Sequence, residues 1–256
     1  MSFKTILNDD SEKIFVETHE PASPKATIIF CHGITGCRKG RTTSDDYFQK
    51  LAARLSGNGY KVVLFDYSGH GDSEGSSRDV CLSKSVSELE KVFDSEVMTE
   101  NVDFLTFSYG TTVLCRFLEQ HKDIRPNHIV MISPGLDPLG SGFLDANNAF
   151  GKDIAKAYYS GEMKEKGYAV VGAKNFELGI NFIEELKDFK PDYLTEVGSK
   201  LLMLSGKNDV IIDTKFNHEF SEKNHIKNID YEASHSLFEE IDKAFNDIEA
   251  FLADYF

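Results

Sequence analysis

The sequence predicts an α/β protein with an open, mostly parallel, doubly wound sheet and an inserted cap subdomain. Short apolar runs of strand length recur along the chain, and segments with helical periodicity lie between them. No further core strand is expected between Pro134 and Lys200, which indicates an insertion at that point. A chain of 256 residues is long enough for one large domain that carries such an insertion.

The predicted core strands are nearly continuous apolar runs rather than alternating ones. Strands of a parallel sheet have this pattern because helices cover both of its faces. A shorter run, IKNIDYEAS (226–234), follows near the C-terminus. The five main runs are ATIIFC (26–31), KVVLFDY (61–67), VDFLTF (102–107), HIVMIS (128–133) and KLLMLS (200–205).

Helical periodicity separates these runs. The segment 45–59 places apolar side chains on one face and ends at Gly57 and Gly59, as helices commonly do. Strands that alternate with helices imply right-handed crossovers and a parallel sheet. Further helices are predicted at 85–97 and 111–121 and from Leu237 to Leu252, where apolar residues form one stripe.

The insertion is predicted to be a cap over residues 135–192, between core segments 1–134 and 193–256. It is too long to be a loop without structure of its own. We expect a helix, a β-hairpin around Tyr168–Ala173, and a second helix in the amphipathic stretch FELGINFIEELKDF (176–189).

The net charge of −14 makes nucleic acids and anionic membrane surfaces poor partners. A small uncharged or weakly charged molecule is the expected ligand. The sequence carries no indication of the oligomeric state.

A cytoplasmic location is expected from the N-terminus and the cysteines. The stretch MSFKTILNDDSEKIF lacks the basic and apolar regions of a secretory signal. The cysteines form no dense disulfide framework, and no set of further ligands accompanies His32 at zinc-site spacing, so no metal is expected. The four cysteines are Cys31, Cys37, Cys81 and Cys115.

Polar residues follow the predicted strands, at the sheet edge where α/β proteins bind ligands. Ser108 follows the third main run, Asp209 follows the fifth, and His235 follows the last short run. Two glycine-rich turns, HGITG (32–36) and DYSGHGDSEG (66–75), follow the first two runs.

These residue types are the ones that acyl transfer requires. A serine hydroxyl is a weak nucleophile until a base removes its proton, and histidine suits that role near neutral pH. A carboxylate then orients the imidazole, and backbone N–H groups stabilise the oxyanion. The sequence therefore predicts Ser108 as nucleophile, His235 as base and Asp209 as acid, with Asp137 and Asp213 as rival acids.

The order Ser108, Asp209, His235 resembles the α/β-hydrolase superfamily, and the resemblance extends over nearly the whole chain. The HGITG loop, the GHGDSEG turn and the cap of similar size resemble more closely the small capped bacterial serine hydrolases of the feruloyl/cinnamoyl-esterase-like type. The resemblance implies that the backbone N–H groups of Ile34 and Tyr109 form the oxyanion hole. It also implies that no metal or organic cofactor is needed.

Three residues around Ser108 depart from the pattern of that family. Thr106 and Thr111 replace residues that are commonly small, and Phe107 stands where histidine is frequent. Tighter packing around the serine is therefore expected.

Two groups of residues are candidates for substrate binding. Arg38, with Lys39 and Arg41, forms a basic cluster that either receives a carboxylate or phosphate or lies on a solvated loop. Tyr158 and Tyr168 either line a substrate pocket or form the small core of the cap.

The predicted activity is that of a serine carboxylesterase acting on esters of small or aryl acyl groups. The alternative is an acyl thioesterase that acts on coenzyme A or phosphopantetheine thioesters. A peptidase or amidase and a non-catalytic ligand-binding protein share the same scaffold.

Overall fold

The computed structural model describes residues 1–97, 101–172 and 175–253. Its strands are β1 (Ser2–Leu7), β2 (Lys13–His19), β3 (Ala26–Cys31), β4 (Tyr60–Phe65), β5 (Val102–Phe107), β6 (His128–Ile132), β7 (Tyr168–Val171), β8 (Phe176–Gly179), β9 (Lys200–Gly206) and β10 (Lys227–Tyr231). Its α-helices are α1 (Tyr47–Gly57), α2 (Leu82–Glu96), α3 (Tyr109–Gln120), α4 (Lys152–Tyr159), α5 (Glu162–Lys166), α6 (Ile180–Leu186), α7 (Thr214–Lys223) and α8 (Ile241–Leu252).

An eight-stranded sheet in the order β1-β2-β4-β3-β5-β6-β9-β10 forms the centre of the molecule. The strands from β4 to β10 in this order pair in parallel, which confirms the predicted mostly parallel sheet. The antiparallel strands β1 and β2 at one edge were not predicted. Most of β1 is exposed, so it lacks the continuous apolar run that marks the central strands.

Two hydrophobic clusters cover the two faces of the sheet. Helices α2 and α3 contribute to one cluster, and α1 and α8 contribute to the other. Phe104 and Leu105 are neighbours in β5 and belong to different clusters, because successive side chains of a strand point to opposite faces. Burial on both faces explains why the central strands are apolar at nearly every position.

The last helix begins four residues later than the sequence predicts. Leu237 has a positive φ of 55°, and a 3₁₀ turn over Phe238–Glu240 precedes α8. The side chain of Leu237 is buried, so it fits the apolar stripe although its backbone is not helical. The spacing of apolar residues indicates which positions are buried, and it does not reveal that the backbone of Leu237 is left-handed rather than helical.

The chain between β6 and β9 forms α4, α5, the hairpin of β7 and β8, and α6. The structure corrects the second helix expected in 176–189: residues 176–179 form β8, the second strand of the hairpin, and the helix begins at Ile180. Ala173, at the predicted hairpin, lies outside the described residues. Phe182 of α6 packs against Tyr109 of α3, with 5.0 Å between the ring centroids. The assignment of residues 135–192 as a separate cap subdomain stays a prediction.

None of the helices within the described ranges is long and apolar enough to cross a membrane. The cytoplasmic location stays a prediction from the sequence.

Candidate active site

Ser108 occupies the turn between β5 and α3 in a backbone conformation that side chains rarely adopt. Its φ is 52° and its ψ is −119°. Three backbone hydrogen bonds of 3.0 Å hold this conformation: the Ser108 N–H donates to the Ile132 carbonyl, and the Ser108 carbonyl accepts from the N–H groups of Thr111 and Gly135. Residues in such strained conformations cluster at functional sites, and they persist only where the surrounding structure holds them.

Glycines allow the neighbouring backbone to approach this turn. A Cβ at Gly110 would lie 2.1 Å from the Cys31 carbonyl oxygen, so the start of α3 packs directly on the end of β3. A Cβ at Gly33 would lie 3.1 Å from the Cβ of Ser108. Close backbone contact therefore requires glycine at Gly110, and a side chain at Gly33 would force the neighbouring side chains of Phe107 and Ser108 to shift by a few tenths of an ångström.

The two threonines that depart from the family pattern form one hydrogen bond across the turn. The Oγ1 atoms of Thr106, in β5, and Thr111, in α3, are 2.8 Å apart, and both residues are fully buried. Each hydroxyl is the buried partner of the other, so the larger side chains are accommodated without an unpaired polar group.

His235 and Asp209 meet at the same edge of the sheet. The Nδ1 atom of His235 lies 2.7 Å from Oδ2 of Asp209. The other oxygen of this carboxylate accepts the N–H groups of Ile211 and Ile212, at 2.8 and 3.0 Å. Because an ionised carboxylate only accepts hydrogen bonds, this contact favours the neutral tautomer with the proton on Nδ1 and the lone pair on Nε2.

The loop that carries His235 is fixed by a residue that the sequence analysis did not single out. The Ser133 hydroxyl, at the end of β6, donates to the His235 carbonyl at 2.7 Å and is buried. The ring of Phe107 packs against the imidazole with 5.0 Å between centroids. The position of Ser133 at a strand end was the signal available for it.

The two rival acids, Asp213 and Asp137, accept hydrogen bonds from backbone N–H groups a few residues further along the chain. Asp213 accepts the N–H of Lys215 at 2.9 Å and caps α7. Asp137 accepts the N–H of Gly140 at 3.1 Å. Of the three acids, Asp209 is the one that contacts His235.

Ser108 and His235 line one cavity of about 450 Å³. Apolar walls with a few polar groups are typical of sites for small molecules. Within the described ranges, no group of His, Cys, Asp and Glu side chains has the arrangement of a metal site. The remaining lining residues are Ile34, Thr35, Gly36, Arg41, Thr42, Phe107, Phe150, Val171, Gly172, Val210, Ile211, Ser234 and Ser236.

Ile34 and Tyr109, the two residues predicted to form the oxyanion hole, lie differently with respect to the cavity. Ile34 lines the cavity directly. The side chain of Tyr109 is buried away from it, with its hydroxyl 3.2 Å from Oγ of Ser85. Tyr109 is the first residue of α3, and the N–H groups of a first helical turn have no acceptor within the helix. The ring of Tyr109 is therefore not part of the cavity wall, and the role of its N–H group in an oxyanion hole stays a prediction.

The structure corrects the prediction for Arg38. Its side chain is only 3% exposed and forms ion pairs with Glu17 at 3.1 Å, with Asp72 at 2.7 Å, and with Asp66. Its backbone N–H also donates to Asp66. The guanidinium is therefore committed to carboxylates of the fold, and Arg38 does not line the cavity.

The predicted tyrosines also lie elsewhere. The Tyr158 hydroxyl donates to Oε1 of Glu184 at 2.8 Å, and the Tyr168 ring lies 3.9 Å from the guanidinium carbon of Arg78. Neither ring is part of the cavity wall. The inserted segment contributes other residues to that wall, namely Phe150, Val171 and Gly172.

Residues 26–158 match the family model described as alpha/beta hydrolase fold. The match covers more than half of the chain, and the protein belongs to this family. The sequence-based assignment to the superfamily is confirmed.

Solved structures of hydrolases share the fold over nearly the whole chain. Est1E from Butyrivibrio proteoclasticus, in a structure with ferulic acid bound, is 16% identical with a TM-score of 0.77, covering 99% of this chain and 98% of that one. A putative hydrolase from Agrobacterium vitis is 21% identical with a TM-score of 0.73, covering 97% and 98%. The esterase EaEST from Exiguobacterium antarcticum is 18% identical with a TM-score of 0.72, covering 99% and 100%.

Two sequence relatives match over part of their length. An uncharacterised abhydrolase domain-containing protein from Dictyostelium discoideum is 27% identical over 54% of this chain and 14% of its own length. Lysophosphatidylserine lipase ABHD12 from Danio rerio is 30% identical over 48% of this chain and 30% of its own length. The matched region thus spans less than a third of either relative.

The pair of threonines should show energetic coupling. We expect Thr106→Val to lower the free energy of unfolding by about 1–2 kcal/mol, because it leaves the buried Thr111 hydroxyl without its partner. Thr111→Val should cost less, because the Thr106 hydroxyl keeps the Val130 carbonyl as an acceptor at 3.4 Å. The double variant should lose less than the sum of the two. Urea unfolding followed by circular dichroism measures the cycle, and strictly additive losses would show that the hydrogen bond contributes nothing.

Arg38 should act on stability rather than on substrate choice. Arg38→Met leaves buried carboxylates without their cation, so we expect a loss of about 3–5 kcal/mol in the free energy of unfolding. Lys39→Met, on the same loop, is the matched control and should change stability by less than about 0.5 kcal/mol. A stable Arg38→Met protein with altered preference between charged and neutral substrates would contradict the structural role.

Proposed function

We propose that the protein is a serine hydrolase that cleaves carboxylic esters of small or aryl acyl groups through an acyl-enzyme. The observation that carries the proposal is the 2.7 Å contact of His235 with Asp209 at a cavity that Ser108 also lines. Membership of the alpha/beta hydrolase fold family supports a hydrolase, and several structural relatives are esterases.

In the first step, Nε2 of His235 takes the proton of the Ser108 hydroxyl as Oγ bonds to the ester carbonyl carbon. The carbonyl oxygen becomes an oxyanion, which the N–H groups of Ile34 and Tyr109 stabilise. The carbon–oxygen bond to the alcohol then breaks. The proton on His235 passes to the leaving oxygen, and Asp209 stabilises the imidazolium while it exists.

In the second step, a water molecule attacks the acyl group on Ser108. His235 takes a proton from this water, and the new oxyanion occupies the same site beside Ile34 and Tyr109. The bond between the acyl carbon and Oγ breaks, the serine regains its proton from His235, and the carboxylic acid leaves. Every proton is carried by the protein or by water, so the reaction needs no metal or organic cofactor.

The volume and lining of the cavity support small or aryl acyl groups. A volume of about 450 Å³ lies in the range of sites for small ligands. Phe150, Val171, Val210 and Ile211 supply apolar contacts for a hydrocarbon chain or ring. We propose that the inserted segment, which contributes Phe150 and Val171, takes part in substrate selection.

A thioesterase acting on coenzyme A or phosphopantetheine thioesters is the second candidate. The same nucleophile and base cleave oxygen and sulfur esters, so the catalytic groups do not separate the two activities. The cation Arg41 in the cavity wall favours this candidate, because both of these carriers contain phosphate.

Replacement of Ser108 tests the proposal. We expect Ser108→Ala to lower kcat for p-nitrophenyl butyrate by roughly 10⁴-fold or more and to abolish labelling by a fluorophosphonate probe. Ser160→Ala, which removes an exposed serine at the end of α4, should change neither. Comparison with butyryl-coenzyme A separates the ester from the thioester preference.

Two results would overturn the proposal. If the probe does not label Ser108 in the wild type, the serine is not an activated nucleophile. If it labels Ser108 but no ester or thioester is turned over, the chain is a ligand-binding member of the fold or an amidase, and a peptide amide panel separates these outcomes.

A further inference from the structure

Arg41 is the only side chain with a formal charge in the described lining of the cavity that contains Ser108 and His235. The protein as a whole carries a net charge of −14, and the other lining side chains are apolar or neutral apart from the histidine. A single cation in a largely apolar cavity favours an anionic ligand over a neutral one, because the surrounding walls offer little competing charge.

The three basic residues of this loop are not equivalent. Arg38 is buried among Glu17, Asp66 and Asp72, and the Lys39 amine lies 3.9 Å from Asp72. In the part of the chain that the structure describes, Arg41 forms no such ion pair. The fold therefore neutralises its neighbour Arg38 and leaves the charge of Arg41 available at the cavity.

The guanidinium of Arg41 is positioned by packing rather than by a counter-ion. It lies over the ring of Phe238, with 4.9 Å between its central carbon and the ring centroid. Stacking on an aromatic face leaves the edge of the guanidinium free to form hydrogen bonds in its plane.

One oxygen of each of two nearby carboxylates, Glu239 and Asp45, accepts hydrogen bonds from other donors. Glu239 accepts the N–H and the hydroxyl of Ser234, at 3.0 and 3.1 Å. Asp45 accepts the N–H of Thr42 at 2.8 Å. The hydrogen bond from the Ser234 N–H and, to a smaller extent, the nearby cation of Arg41 lower the pKa of Glu239. Among the hydrogen bonds and ion pairs of the described residues, Arg41 makes none with either acid.

We propose that Arg41 selects substrates that carry a carboxylate or phosphate on a part of the molecule remote from the scissile ester. This inference rests on the proposed function and narrows it to anionic esters, in contrast to the uncharged or weakly charged ligand that the overall charge of the chain suggests. The apolar residues Phe150, Val171, Val210 and Ile211 bind the hydrocarbon part, and Arg41 binds the anion. A planar, bidentate contact is the geometry that arginine offers to either anion.

Matched pairs of esters test the proposal on both sides of the scissile bond. On the alcohol side, 4-carboxyphenyl butyrate is compared with 4-carbamoylphenyl butyrate. On the acyl side, phenyl 4-carboxybenzoate is compared with phenyl 4-carbamoylbenzoate. Each pair differs in charge and little in shape. The intrinsic reactivities of the two esters cancel when the ratio of kcat/KM for the carboxylate ester to that for the carbamoyl ester is compared between the wild type and a variant, so the change in this ratio isolates the contact with the charge.

We expect Arg41→Gln to lower this ratio about tenfold in at least one pair, because a charge-assisted contact is lost. Arg41→Lys should retain part of the preference, since the charge remains without the bidentate geometry. Lys39→Gln, on the same loop outside the cavity wall, should leave the ratio unchanged. Added salt should lower the wild-type ratio, because the attraction is screened at a partly exposed site.

The outcomes separate this inference from the proposed function. Hydrolysis of the two carbamoyl-substituted esters by Arg41→Gln shows that the variant is folded and active. If both ratios are then the same as in the wild type, Arg41 does not select anions, while the esterase proposal stands. If the wild type hydrolyses none of the four esters and Ser108 is not labelled by a fluorophosphonate, the proposed function fails, and the role of Arg41 fails with it.

Discussion

The sharp reversal of the chain at Ser108 is the constraint on which the rest of the site depends. A strand in the middle of the sheet must turn into a helix within one residue, and that residue has a φ of 52°. The backbone hydrogen bonds of Ser108, the glycine contacts at Gly33 and Gly110, and the paired hydroxyls of Thr106 and Thr111 all act on this turn. Their combined effect is to hold one small polar side chain at the end of a buried strand, facing a cavity rather than the core.

The buried ion pairs of Arg38 connect the stability of the fold to the same site. Arg38 links the loop after β3 to Asp66, which follows β4, and to Glu17 in β2. Ile34 and Arg41 lie on either side of Arg38 in this loop. Removing two opposite charges from water is costly, so such a cluster favours one specific arrangement of the loop only when every member keeps its partner. We infer that the cluster holds the loop from which Ile34 and Arg41 line the cavity.

The parts of the fold that could be predicted from the sequence are those in which burial dictates residue type over several positions. The central strands are apolar on both faces, and the strand-end positions of Ser108, Asp209 and His235 follow from the topology of a parallel sheet. Strand β1 is mostly exposed and left no such pattern. The partners of single side chains depend on how the chain folds. Arg38 pairs with carboxylates that follow or belong to other strands. Thr106 and Thr111 face each other across the turn at Ser108, so a departure from the family pattern becomes a complementary pair. Residue type alone does not specify such contacts.

A crystal structure of the protein after reaction with a small alkyl fluorophosphonate tests the central claim most directly. The phosphorus atom should be bonded to Oγ of Ser108, with the phosphonyl oxygen within hydrogen-bond distance of the N–H groups of Ile34 and Tyr109, and with the imidazole of His235 still bound to Asp209. Phosphorus on another residue, or a phosphonyl oxygen directed to solvent and away from both N–H groups, would contradict the account.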